Sequence, residues 1–265
     1  LFFTPNLRPM RHFFYFLPLL SLSLFFSACT GDDDEEISNG SLELVFKARY
    51  GDAPLVMLDE VYTYPDGTPV KFQLLNYYVS DLTLVAPQEN LETVLSEVEL
   101  IDYADFYDSA SAEAGISIVY DDLEAGVYEQ LRFGFGLTPE LNGTQPSNYA
   151  AGHPLTDNFW SWARGYVFAK IEGKAALDGD GVFDDNITYH IGADDLFTSL
   201  TIEEPLVIQK DNPIQLTFDL DLEQVLQRNG NYLDISEPTN TQDHTNNPAI
   251  YQWLWENMVN TLEVK

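Results

Sequence analysis

The chain has 265 residues, of which 43 are Asp or Glu and only 12 are Lys or Arg, giving a formal net charge of −31 at pH 7. Such a surface repels nucleic acid and anionic lipid headgroups, which argues against both as partners but is compatible with cations. The chain contains one cysteine, so no internal disulfide can form and its stability must come from its core.

The N-terminal segment is typical of a lipoprotein signal peptide. A basic start at Met10 and Arg11 precedes an apolar run from Phe13 to Phe26, which is too short to span a bilayer. The following Ser27-Ala28-Cys29 completes a stretch that resembles a bacterial lipobox. Residues 1–28 are therefore predicted to be the signal peptide, with residues 1–9 an upstream mis-start, and Cys29 to be the lipidated residue. The alternative is cleavage elsewhere, which would leave Cys29 as a free thiol.

Residues 29–40 are predicted to be an acidic tether, because five consecutive acids from Asp32 to Glu36 cannot fold alone. The run is either a simple spacer or an export signal, since it resembles the acidic signal of Bacteroidetes lipoproteins. The predicted location is the outer membrane, on the cell surface or the periplasmic face. The lipid anchor is the only membrane contact expected.

Residues 41–265 are dominated by strand patterns. Apolar and polar side chains alternate over 41–50, which is typical of a half-buried strand, and the same period of two recurs over 131–137 and 214–222. Pro65-Asp66-Gly67 predicts a tight turn within a hairpin. Strands at short intervals, without βαβ alternation, predict an all-β domain.

Two helices are expected in this domain. One runs from about Leu222 to Arg228 and ends at Asn229-Gly230; the other starts at Pro248 with Asn247 as its N-cap. Four apolar residues recur along the second helix at four-residue spacing: Ile250, Leu254, Met258 and Leu262. We therefore predict a two-sheet antiparallel β-sandwich with a short helix and a C-terminal covering helix.

Trp160 and Trp162 lie one residue apart in a chain with four tryptophans. On composition alone, such a pair most often fills a core, because an indole buries a large apolar area. The sequence lacks a phosphate-binding glycine loop and the HExxH and GxSxG motifs, so no enzyme activity is predicted.

Several short blocks follow one another in an order that resembles the MbnP-like family of periplasmic or surface copper-binding proteins. The two most specific are the WxW block with its Gly-Tyr pair and the YHIG tetrapeptide. The blocks are Leu44–Tyr50 with Gly51 and Pro54-Leu55, Leu75–Ser80, Phe159–Phe168 with Glu172-Gly173, and Tyr189–Gly192.

The resemblance implies copper held by histidine beside a tryptophan that, in some members, a dihaem enzyme oxidises to kynurenine. His190 occupies the histidine position of the tetrapeptide, and either Trp160 or Trp162 occupies the position of the modified tryptophan. The implied partners are the metal ion, a dihaem tryptophan-oxidising enzyme or an outer-membrane transporter.

The histidines of the mature chain agree with this implication. Only His153, His190 and His244 remain after the leader is removed, and neutral imidazole is a favoured copper ligand. His190 lies opposite the Ile/Tyr face of a predicted strand, where its side chain can face a cleft. The other two lie in predicted loops, where a single histidine is more often solvated. The prediction is a copper site of His190 with His153 and His244, or a two-histidine site completed by water.

A second candidate for a cation site is Asp178, Asp180 and Asp184, where glycines separate carboxylates that could wrap calcium. The run lacks the spacing of an EF-hand, and a plain acidic turn is the alternative.

The predicted function is copper capture or storage at the cell envelope. The alternative is a surface lipoprotein that binds a protein or glycan through exposed aromatic side chains and has no metal role.

Overall fold

The computed structural model describes residues 38–87, 91–161 and 165–265. The strands in these ranges are β1 (Asn39–Tyr50), β2 (Ala53–Pro54), β3 (Tyr62–Thr63), β4 (Pro69–Val85), β5 (Glu92–Asp102), β6 (Ile116–Glu124), β7 (Gly126–Tyr128), β8 (Gln130–Phe135), β9 (Phe159–Trp160), β10 (Gly165–Tyr166), β11 (Ala169–Ala175), β12 (Asp185–Ile191), β13 (Thr198–Ile202), β14 (Leu206–Ile208), β15 (Ile214–Asp221), β16 (Gln227–Arg228), β17 (Asn231–Tyr232), β18 (Gln242–His244) and β19 (Leu262–Val264). The α-helices are α1 (Ser109–Ala114), α2 (Pro139–Asn142), α3 (Leu222–Leu226) and α4 (Pro248–Thr261).

Two main sheets form the β-sandwich, as predicted. The larger sheet has the order β13-β8-β4-β11-β12-β18, with β3 and β5 also paired to β4; the smaller has the order β19-β15-β1-β2, with β6 paired to β1. Most pairings are antiparallel, but β1 pairs with β15 and β12 with β18 in parallel. Alternation in sequence predicts that a strand exists but not the direction of its partner, so it could not predict these two pairings.

Aromatic side chains join the two sheets across the core. Phe133 of β8 meets Phe218 of β15 edge-on, with ring centroids 5.4 Å apart, and Tyr50 of β1 lies 5.5 Å from Phe72 of β4. Every inward residue predicted for the first strand is buried: Leu42, Leu44, Phe46, Ala48 and Tyr50. Burial of these rings supplies much of the stabilisation in a chain without a disulfide.

The C-terminal helix α4 begins as predicted. The Asn247 side chain accepts a hydrogen bond from Ala249 N at 3.1 Å, and Ile250, Leu254 and Met258 are buried. The helix ends at Thr261, so Leu262 instead opens β19, which pairs with β15.

The other helix prediction is partly wrong. Helix α3 ends at Leu226, and Asn229-Gly230 turns the hairpin between β16 and β17 rather than ending a helix. Both turn residues have positive φ, the conformation for which Asn-Gly is favoured. The short helices α1 and α2 were not predicted; each starts at a side-chain cap, Asp108 or Thr138.

The Pro65-Asp66-Gly67 turn forms as predicted. Gly67 has φ of 93° and donates to Tyr64 O at 2.8 Å, which closes the hairpin of β3 and β4.

The predicted signal peptide, Cys29 and the acid run lie outside the described residues. Within the described ranges, no helix is long and apolar enough to cross a membrane.

Candidate metal centre

Strand β12 presents His190 on the face predicted for it. Ile187, Tyr189 and Ile191 are buried in the core, whereas the alternate residues Thr188 and His190 lie on the opposite face. The His190 side chain is still only 13% exposed, because neighbouring strands and loops cover this face.

The edge strand β18 brings a second histidine to the same face. Because β18 runs parallel to β12 with His244 in register with His190, the two rings lie side by side. Their centroids are 4.9 Å apart and their Nδ1 atoms are 3.2 Å apart. Two of the three predicted histidines therefore meet.

Hydrogen bonds of the loop after β18 hold His244 in place. The buried Asp243 carboxylate accepts bonds from the backbone N–H of Thr245, Asn246 and Asn247 at 2.9–3.2 Å. The Thr245 hydroxyl donates to His190 O at 2.8 Å and accepts from Gly192 N at 3.0 Å. Side-chain bonds to the backbone thus join the loop to β12 at the point where the histidines meet.

Trp160 lies against both imidazole rings. Its ring centroid is 4.9 Å from that of His190 and 5.4 Å from that of His244. Strand β9 positions it through antiparallel pairing with β10, in which Trp160 is opposite Gly165. A cleft of about 240 Å³ opens beside Trp160 and His244. Trp162, the other predicted tryptophan, lies outside the described residues.

A carboxylate that the sequence did not identify as a site residue also contacts His190. Glu172 Oε1 on β11 lies 2.7 Å from His190 Nε2, and Lys170 on the same strand is directly opposite His190. Burial lowers the pKa of His190, while the hydrogen bond to Glu172 acts in the opposite direction. Burial also lowers the pKa of Lys170. Glu172 belongs to one of the blocks that resemble the MbnP-like family, but its contact with His190 depends on the register of β11 and β12.

His153 lies in a different set of contacts. Its ring stacks on Tyr149 at 4.2 Å, and its Nδ1 accepts a hydrogen bond from Leu155 N at 3.1 Å, capping a 3₁₀ turn over Pro154–Thr156. Among the described residues, no group of three or more His, Cys, Asp or Glu side chains is arranged to hold a metal ion. The contacts that join His190 and His244 therefore do not include His153.

Comparison with known proteins gives one family. The model of the MbnP family matches residues 39–247, most of the chain. The chain belongs to the MbnP family. A similar solved structure is MbnP from Methylosinus trichosporium, with 15% identity, coverage of 72% of this chain and 78% of that chain, and a TM-score of 0.45. Comparison with curated proteins gives no match.

At two positions in the MbnP-like blocks, any side chain would clash with nearby backbone, which explains why glycine is present. A Cβ on Gly192 would collide with the carbonyl oxygen of Tyr166 and lie 2.9 Å from Val167 Cα. A Cβ on Gly173 would lie 2.5 Å from the carbonyl oxygen of Lys71. Glycine at these positions lets the end of β12 approach the Tyr166–Val167 backbone, and lets β11 approach β4, more closely than a side chain would allow.

In the acidic loop of this MbnP-family chain, carboxylates accept hydrogen bonds from the backbone of the loop itself. Asp178 accepts from Asp180 N at 3.1 Å, and Asp180 accepts from Val182 N at 2.7 Å. Gly179 and Gly181 both have positive φ, as tight turns require. Within the described ranges, these carboxylates do not form a group of three that could hold a metal ion. Calcium binding by Asp178, Asp180 and Asp184 stays a prediction.

Proposed function

We propose that this MbnP-family protein binds copper between His190 and His244, beside Trp160, and acts in copper capture or storage at the cell envelope. The single observation that carries the proposal is the 3.2 Å approach of the two Nδ1 atoms. The copper ion is the cargo of the protein, and no enzymatic activity is proposed.

The distance between the two nitrogens fits a shared metal ion. Imidazole nitrogens bind first-row metals at about 2.0–2.1 Å, so two of them on one tetrahedral centre lie roughly 3.3 Å apart. The Nδ1 atoms already lie near this separation. An ion that replaces the hydrogen between the two nitrogens would leave their separation nearly unchanged.

The donor type fits copper. Neutral imidazole suits copper and zinc alike, and the usual order of affinity places Cu(II) above Zn(II). Burial favours the neutral form of His190 by lowering its pKa, which keeps a lone pair available for the ion. The acidic surface would attract cations to the site without competing as a nitrogen ligand.

Trp160 is the tryptophan we propose as the one converted to kynurenine. Its indole contacts both imidazole rings, so a change of that ring would be made next to the copper ligands. Kynurenine has lost one carbon and gained one oxygen relative to tryptophan. A dihaem partner enzyme would carry out the oxidation, and this chain would be its substrate.

An outer-membrane transporter is a second proposed partner. Lipidation at Cys29 would hold the protein at the membrane.

Copper titration tests the proposal. The purified protein is stripped of metal, mixed with one equivalent of Cu(II) or Cu(I) and passed through a desalting column, and the retained copper is measured. The wild-type protein should retain one copper per chain, and the His190→Ala variant should retain much less. Equal retention by both proteins would contradict the assigned site. No retention by the wild type would favour a surface protein that binds a protein or glycan.

A further inference from the structure

We propose that Glu172 is a positioning residue that fixes the tautomer of His190, so that the Nδ1 lone pair faces His244. This inference rests on the proposed function for its consequence in copper binding, but its first claim concerns the metal-free protein. The contact that carries it is the 2.7 Å approach of Glu172 Oε1 to His190 Nε2.

The chemistry of the two groups decides where the proton lies. An ionised carboxylate can only accept hydrogen bonds, so the nitrogen next to it must carry the hydrogen. A neutral imidazole has one N–H, which leaves the other nitrogen, Nδ1, with a lone pair. In the neutral ring, the Nε2 that contacts Glu172 is therefore the donor and Nδ1 is the acceptor.

The tautomer of His244 then follows from that of His190. His244 Nδ1 lies 3.2 Å from His190 Nδ1, and two facing lone pairs would repel. In the metal-free protein, His244 Nδ1 therefore donates its hydrogen to His190 Nδ1. A bonded chain runs from Glu172 through His190 to His244, and one hydrogen occupies the space between the two nitrogens. Metal-bound histidines commonly donate their other N–H to a carboxylate in this way.

Strand geometry explains why the carboxylate reaches the ring. Lys170 is directly opposite His190 in the ladder, and Glu172 is opposite Thr188, so Glu172 is a diagonal neighbour on the same face. The Glu172 side chain is 35% exposed, whereas that of His190 is 13% exposed. The carboxylate thus remains partly solvated while it orients a ring that is largely covered.

The first test is the tautomer in the metal-free protein. Long-range proton–nitrogen NMR spectra identify which ring nitrogen carries the hydrogen. The wild type should show His190 protonated on Nε2 and His244 protonated on Nδ1. In E172A the preference of His190 should be lost, while E172Q, whose amide oxygen still accepts, should retain much of it. A wild-type His190 protonated on Nδ1 would overturn the proposal.

The second test is copper affinity, measured by competition with a chelator. Loss of a partner behind a metal ligand typically costs 10–100-fold in affinity, so E172A should bind copper about 10–100-fold more weakly than wild type. E172Q should recover part of that loss because it keeps the acceptor and removes the charge. Affinity in E172A equal to that of wild type would overturn the proposal. So would an E172Q variant that keeps the tautomer but binds as weakly as E172A, because charge alone would then account for the loss.

Controls separate this role from folding and from the proposed function. Glu43, on β1 in the other sheet, accepts side-chain hydrogen bonds from Ser117 and Gln215, so E43A and E43Q are matched variants expected to leave both readouts unchanged. Urea unfolding of the metal-free variants checks that each is folded. If the wild type binds no copper, the proposed function fails, while the NMR spectra still confirm or refute the role of Glu172.

Discussion

The Nδ1 atoms of His190 and His244 lie 3.2 Å apart although the residues are separated by 54 positions in the chain. Parallel pairing of an edge strand with β12 produces this contact, and Trp160 closes it from one side. The pair depends on two strands from distant parts of the sequence, so each histidine should be separately required for any ion that binds between them.

Removal of either histidine should abolish tight copper binding. In H190A or H244A, one nitrogen donor is lost, and the affinity should fall by more than the roughly 100-fold typical of a partner behind the ligand. Chelator competition on the purified variants measures this. H153A is the matched control, because His153 Nδ1 caps a backbone turn in another set of contacts. An H153A variant as weak as H190A would instead show that the three-histidine prediction is right.

Oxidation should fall on Trp160. Protein purified from the native organism should carry the mass change of one carbon lost and one oxygen gained, because the proposed partner enzyme would be present there. Peptide mass spectrometry should place the change at Trp160, which contacts both imidazole rings. The W160F variant should lose the change and W162F should keep it. The reverse pattern would assign the modification to Trp162.

The stability of the metal-free protein should fall as the pH drops below about 6.5, because of the protonation of His190. The pKa of His190 is lowered on folding by burial, so the unfolded chain binds more protons in this window. Stability is therefore fully present above the unfolded pKa of about 6.5 and is lost as the pH falls toward the folded pKa. Urea unfolding at several pH values should show a smaller loss in H190Q. Identical pH profiles for H190Q and the wild type would contradict this assignment.

Substitution of Gly192 should disturb the proposed metal site through the backbone. Because a Cβ there would collide with Tyr166 O, G192A should shift the β9–β10 hairpin that carries Trp160. We expect a loss of about 1–3 kcal/mol in the free energy of unfolding, as for other overpacked sites. Urea denaturation measures it. G126A is the control, because a Cβ there meets no atom within 4 Å, and a change within about 0.5 kcal/mol is expected. Equal losses in both variants would contradict the steric explanation.

The strand pattern predicted the orientation of His190, because burial of Ile187, Tyr189 and Ile191 requires the residues between them to lie on the other face. It could not predict the partner. His244 lies on a three-residue strand within a polar stretch, which is too short to show a period, and its direction is set by contacts distant in sequence. The contact of Glu172 with His190 could not be predicted either, because the diagonal position of Glu172 depends on the register of β11 and β12.

Helix boundaries were predicted with mixed accuracy for a related reason. The N-cap of α4 is a local interaction of Asn247 and could be recognised in the sequence. Its C-terminus depends on the pairing of Leu262 with Leu220 of β15, which no local pattern encodes. Asn229-Gly230 is a strong turn signal that serves equally well after a helix or within a hairpin.

The short strand β18 contributes half of the nitrogen pair from the edge of a sheet, where only one neighbour holds it. Short edge segments are commonly among the first parts of a protein to open locally. An ion held by both histidines would act as a clasp between β18 and β12, and would add its binding free energy to the closing of that edge. Amide hydrogens over residues 241–247 should then exchange with deuterium more slowly when copper is bound, while those in the β1–β15 ladder keep their rates.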